Sequence, residues 1–180
     1  LKKQSGQKYP RSMKNDEVDG LVPRWRDSGM PSDLIAALEL SKRTSRLDML
    51  FQEAIRAELA GLGLTYAEFD ILAALARAEP PHAMKPSELS KSLFLTSGGT
   101  SNVLQRLTAA GYVERAADPG DARSRWVRLT PEGLTVANTA LDLAGKAHSE
   151  VMAGVPEETV RRAADALREV LVAVGRRRVR

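Results

Sequence analysis

Thr96-Ser97-Gly98-Gly99-Thr100-Ser101-Asn102-Val103-Leu104-Gln105-Arg106-Leu107 decides the fold, with Gly111-Tyr112-Val113-Glu114-Arg115 and Trp126-Val127-Arg128-Leu129-Thr130-Pro131-Glu132-Gly133 behind it. Thr96 can cap a helix, Leu104 and Leu107 recur at helical spacing facing inward, and Gly111 suits the left-handed turn that ends a helix. After Gly111 the period changes. Tyr112, Val113 and Arg115 read as a strand, Asp118-Pro119-Gly120-Asp121 as a turn, and Trp126, Val127 and Leu129 as the returning strand. Thr130 then caps a helix with Pro131 at its first position, running to about Met152.

Upstream, Pro80-Pro81 is a firm stop, and Pro86 starts a short helix over 87–94. Thr65-Tyr66-Ala67-Glu68 has capping-box spacing and opens a helix to Ala78 with Phe69, Leu72, Ala73 and Leu75 on one side. Before it, apolar residues at 35, 38, 47, 50, 51, 54, 55, 59 and 62 predict a long helix closed by Gly61 and Gly63, with Ser32 or Asp33 as its cap. A short amphipathic helix lies within 16–28, limited by Pro23. Downstream, Gly154 and Pro156 mark a break before a last helix with Val160, Ala163, Leu167, Val170 and Leu171 on one face.

This order predicts a mainly α fold with a two-stranded β wing: a winged helix-turn-helix core with N- and C-terminal dimerisation helices. Residues 16–62 are expected to dimerise, 64–130 to form the winged helix-turn-helix DNA-binding domain, and 131–175 to supply the C-terminal dimerisation helices. The terminal helices carry more apolar surface than so small a core can bury, which a second copy would cover. A monomeric helical bundle with an incidental hairpin also fits the periodicity.

The 180 residues contain no Cys, which excludes disulfides, thiol catalysis and Cys-ligated zinc. His82 and His148 are far apart in sequence, so no metal site and no cofactor is expected. No Ser/His/Asp order or phosphate loop is present, and Asp118 and Asp121 are explained by their turn; an enzyme is not expected. No apolar run has the length of a membrane span, so no membrane partner is expected and the compartment is read as cytoplasmic.

The formal charge is +4, but five basic groups lie in residues 1–14 and four in 176–180. Removing those nine from 27 leaves 18 basic against 23 acidic residues, a body of −5. Residues 1–15 read as a disordered basic leader, a candidate cloning remnant ahead of Met13, and 176–180 as a basic tail. Residues 85–130 hold seven basic groups and four acids, a local surplus of three.

Ser97, Gly98, Ser101, Asn102 and Gln105 lie along one helix side, opposite Leu104 and Leu107. Small and amide side chains near a helix N-terminus let the backbone approach a duplex and offer donors and acceptors to base edges in the major groove. The same pattern would suit a plain solvated face if the helix stood alone. Beside a basic hairpin it points to DNA. Lys85 and Arg125 are candidate phosphate contacts, as are Ser87 and Thr96.

The Thr-Ser-Gly entry, the Asp121-x-Arg123 wing and the Leu129-Thr130-Pro131-Glu132-Gly133 exit occur together and in order, and the stretch resembles the MarR family of bacterial transcriptional regulators. The resemblance is close over about 45 residues, and helix order extends it over roughly 34–175. It implies Ser97, Gly98, Ser101, Asn102, Val103, Gln105 and Arg106 in the major groove, and a wing of Asp121, Arg123 and Arg125 with Arg123 entering the minor groove. Val103 stands where many members have Arg, so a guanine contact is lost and a thymine methyl becomes the expected target.

Trp25, Asp70 and Arg115 are similar to the anion pocket of the family's urate-responsive branch, although Val103 replaces one of its usual arginines. That similarity implies a small anionic or aromatic effector, the same architecture serving a different ligand or none. A purely structural role for Trp25, with Asp70 pairing Arg115, is the other reading. The expected function is a homodimeric regulator, a repressor on a palindromic operator in double-stranded DNA with half-sites about 34–36 Å apart. The alternative is a winged-helix protein-interaction module without specific DNA binding.

Overall fold

The computed structural model describes residues 15–93, 97–117 and 125–175, with the side chains of Ser97, Ala117 and Arg125 left aside. The described residues fall into two compact units that divide between Leu50 and Phe51. In the first, α1 (Val22–Asp27) has Pro23 in its opening turn, as its fixed φ favours. The predicted 16–28 helix is shorter because Asp16 makes a turn instead, its Oδ1 accepting from Val18 N and Asp19 N. Arg43, on α2 (Ser32–Leu59), gathers Asp16, Asp19 and Glu39 at 2.7, 2.9 and 2.8 Å. That bond holds the Asp16 carboxyl below its ordinary range. Val18, Val22 and Ile35 are buried.

In the second unit, α2 ends in a tight 3-10 turn (Ala60–Leu62) and Gly63 at φ 64°. Thr65 opens α3 (Tyr66–Arg77) with the predicted capping box: Thr65 N donates to Glu68 Oε2 (2.8 Å) and Glu68 N to Thr65 Oγ1 (3.3 Å). β1 (Ala83–Met84), α4 (Pro86–Ser92) and α5 (Ser97–Ala109) follow. Then come β2 (Val113–Ala117), β3 (Arg125–Leu129), α6 (Pro131–Val151) and α7 (Glu157–Val174).

The fold is mainly helical, as expected, but the sheet has three antiparallel strands in the order β1-β3-β2. The added strand pairs Ala83 with Arg128 and Met84 with Val127; two residues after two prolines carry no readable alternation. Between β2 and β3, Val113 faces Leu129 and Glu114 faces Arg128, so apolar pairs enter the core and the outer pair closes an ion pair of 2.6 Å. The predicted turn at 118–121 and helix end at 94–96 lie outside the described residues.

The main core joins Ile71, Leu72 and Leu75 of α3 to Val103, Leu104 and Leu107 of α5, with Val113, Val127 and Leu129 from the sheet. A second cluster sets Ile55, Leu59, Phe69 and Ala73 against Ala140, Ala144 and Ala147 of α6. Phe51 stacks on His148 at 4.9 Å, with His148 Nδ1 against Ala144 O; this is an interhelical histidine. Among the described residues no single helix is long and apolar enough to cross a membrane.

The wing meets α6 at one junction. Thr130 N and Oγ1 donate to Tyr112 O (3.1 Å) and Gly111 O (2.8 Å), and Gly133 N donates to Thr130 Oγ1 (2.9 Å). A Cβ on Gly133 would overlap the Tyr112 carbonyl. Gly133→Ala should therefore cost about 2–3 kcal/mol in urea unfolding, as overpacking against backbone does. Asp70, half-buried on α3, has its carboxyl pushed above the usual aspartate range by burial, which Arg77 partly opposes. A raised folded-state pKa contributes stability at low pH and loses it as pH rises through that pKa. Asp70→Asn should then be more stable than the parent at pH 7, the gain vanishing in acid; a pH series of melting temperatures checks this.

Candidate nucleic-acid interface

α5 buries Thr100, Val103, Leu104 and Leu107, at 1–9% exposure, and turns Gly98, Ser101, Asn102 and Gln105 to solvent. The arrangement follows from 3.6 residues per turn: positions 100, 103, 104 and 107 form one stripe, and 98, 101, 102 and 105 the opposite side. Ser90 Oγ of α4 lies 2.8 Å from Thr100 Oγ1 and 3.0 Å from Pro86 O, a polar tie between the two helices of the turn.

The structure bears on two of the expected contacts. Val103 is buried, 7% exposed, among core side chains, so it is not offered to a thymine methyl; its β-branched side chain fills the stripe instead. Arg106 is 57% exposed and carries an ion pair. Its Nε lies 3.1 Å from Glu68 Oε1, joining α5 to α3.

Lys85, at the start of α4, donates its backbone N–H to Glu88 Oε2 (3.0 Å), and its ammonium lies 5.2 Å from the Trp126 ring centre. In the sequence Trp126 shows only as a strand residue; its ring beside Lys85 appears with the fold. Ser87 is exposed in the first turn of α4. Thr96, Asp121 and Arg123 lie outside the described residues, as do the side chains of Ser97 and Arg125.

The three candidate effector residues divide between the units: Trp25 is on α1 of the first, Asp70 and Arg115 in the second. Asp70 feels Arg77, and no ion pair joins it to Arg115 among the described residues. Arg115 lies on the sheet face that carries Val113, one pair further out, where the core ends. There it lines a cleft of about 450 Å³ with Pro86, Ser101, Gln105 and Trp126. No group of three His, Asp or Glu suited to a metal occurs among the described residues.

Comparison with known proteins agrees with this geometry. A family model described as MarR family matches residues 62–124. The HTH-type transcriptional regulator PecS of Dickeya dadantii (strain 3937) is 30% identical over 142 residues, covering 79% of this chain and 85% of that protein. The wild-type apo MarR structure from E. coli superposes with a TM-score of 0.62 at 27% identity, covering 73% of this chain and 96% of that one. A mutant E. coli MarR complexed with operator DNA has the same fold, with a TM-score of 0.66 at 23% identity over 87% of this chain and 99% of that one. PecS is named as a transcriptional regulator, not as an enzyme. With α3 to β3 built as a winged helix-turn-helix and a relative this similar along most of its length, the chain belongs to the MarR family of transcriptional regulators.

Proposed function

We propose that two copies of this chain bind a palindromic operator in duplex DNA and repress the gene it controls, with a small aromatic or anionic molecule as the releasing signal. The observation that carries the DNA reading is Gly98. A Cβ there would meet nothing within 4 Å and its φ is not positive, so the fold has no need of glycine at this helix position. Close approach of a duplex backbone gives it a use. Ser101, Asn102 and Gln105, on the same exposed side, then reach base edges, with the wing of Asp121, Arg123 and Arg125 in the adjoining minor groove. Ser97 belongs with the base-reading residues, and Lys85, Ser87 and Thr96 are the phosphate contacts of this reading. In this reading residues 64–130 are the DNA-binding domain. Operator DNA bound to the E. coli relative is consistent with it.

The homodimer is supported by apolar surface left outside both units. Leu34, Leu40, Leu47, Met49 and Leu50 of α2 are 36–56% exposed, and Val160, Val170, Leu171, Val172 and Val174 of α7 are 36–75% exposed. Residues 16–62 and 131–175 would supply the dimer contacts, an α7 from the second copy entering the roughly 810 Å³ groove beside Val18, Leu21, Leu47 and Leu50. The effector would enter the Arg115 cleft, where a guanidinium and an indole suit an aromatic carboxylate. Occupancy of a promoter by such a dimer blocks transcription.

Selection of duplexes from a random pool, repeated with benzoate, tests this reading. An inverted repeat should be recovered; equal retention of arbitrary DNA would sink it. Gly98→Ala should leave the melting temperature unchanged or raised, since Ala favours helix, yet weaken binding of the recovered duplex at least tenfold (~1.4 kcal/mol). Paired Val170→Asp and Leu171→Asp substitutions should leave a folded species that sediments as a monomer at concentrations where the parent is dimeric.

A further inference from the structure

We infer that Glu68 couples the α2–α3 turn to the recognition helix, and that Arg106 serves DNA binding by being held, not by touching the duplex. The inference rests on α5 being the reading helix proposed above. Glu68 is only 9% exposed, and its carboxylate is divided. One oxygen, Oε2, accepts from Thr65 N (2.8 Å) and Thr65 Oγ1 (2.7 Å); the other, Oε1, faces Arg106 Nε at 3.1 Å. Thr65 follows directly on the turn that ends α2. One buried carboxylate thus links that turn, α3 and α5.

The chemistry makes the link directional. A buried carboxylate without its cation is costly, so Glu68 holds Arg106 in place, and a guanidinium fixes geometry through its planar donors. A helix held only by an apolar stripe can roll slightly; polar ties set its azimuth. Ser90–Thr100 is such a tie in the first half of α5 and Glu68–Arg106 in its second. Arg106 stands one turn beyond Asn102 and next to Gln105, so its tether sets the angle at which those amides leave the surface. A shift at Thr65 changes the same carboxylate and reaches α5 through it.

The test is a cycle between Thr65 and Arg106, read with the duplex recovered by selection and with a random duplex. Arg106→Gln and Glu68→Gln should each weaken the selected duplex about tenfold, within the range of coupled polar pairs, and the random duplex less than about twofold. The slope of log affinity against log salt should not change. Thr65→Ala should weaken the selected duplex about threefold alone and have no effect in the Arg106→Gln background. Retained random-duplex binding shows each variant is folded. A slope reduced by about 0.9 in Arg106→Gln would make Arg106 a phosphate contact and overturn the inference, as would additive effects of Thr65→Ala and Arg106→Gln. Should the parent prefer no duplex, the operator reading fails by itself. Hydrogen exchange of the α5 amides then decides: faster exchange over 105–109 in both Glu68→Gln and Arg106→Gln supports the coupling, and unchanged exchange overturns it.

Discussion

The stripe Thr100-Val103-Leu104-Leu107 is the constraint on which the rest of the second unit depends. Burying the three aliphatic side chains is worth about 1.5–3 kcal/mol each, and they meet residues from α3, β2 and β3 in one core. Because a helix advances about 100° per residue, that burial leaves no choice about which side chains face away. Ser101, Asn102 and Gln105 are presented to solvent because their neighbours are not. Rolling α5 to bring Val103 outwards would strip the core of Leu104 as well. Position 103 belongs to the core, and the valine is a packing residue.

The sheet depends on a different kind of bond. Thr130 closes β2, β3 and the start of α6 through three backbone partners, and Gly133 lets the first turn of α6 pass against the Tyr112 carbonyl. The Leu-Thr-Pro-Glu-Gly run is thus a mechanical junction, with Pro131 supplying φ and Thr130 the cap. It aligns the hairpin with α6, whose Ala137, Ala140, Ala144 and Ala147 allow close packing against the neighbouring helices. The threonine cap at its root adds to the anchorage that Val113, Val127 and Leu129 already give the hairpin in the core.

Most of the fold was legible because its signals are local. Caps at Thr65 and Thr130, Pro86 and Pro131 in first turns, and Gly63 and Gly111 at positive φ each act within a few residues. β1 was not legible, since it exists only through pairing with β3, more than forty residues away. The outward row of α5 could be read from period alone. So could Val103's burial: spacing of three, four and seven from Thr100 already put it in the stripe, and the assignment to DNA followed a resemblance against that period. Arg106 is the opposite case. Its exposure is 57%, as a surface residue's should be, and nothing in sequence says that a capping glutamate on another helix would hold it. The cleft beside Arg115 likewise forms from four separate segments, and no spacing records it.

Charge supplies orientation but not choice. The chain without its basic ends carries −5, while residues 85–130 carry a surplus of three positive groups. α7 contributes Glu157, Glu158, Asp165 and Glu169, two of them already matched by Arg161 and Arg168. A duplex, with a negative charge about every 1.7 Å of its axis, is drawn to the winged face and repelled by the acidic remainder. That attraction is the same for every sequence. Discrimination in the major groove of the proposed complex comes from three side chains, Ser101, Asn102 and Gln105, none of which reaches far. Short side chains tolerate little error in the pose of the helix that carries them, since hydrogen bonds weaken steeply with angle. A reading surface built from serine and amides therefore needs its helix held more firmly than one built from long arginines. The buried stripe and the Ser90–Thr100 and Glu68–Arg106 ties serve that need.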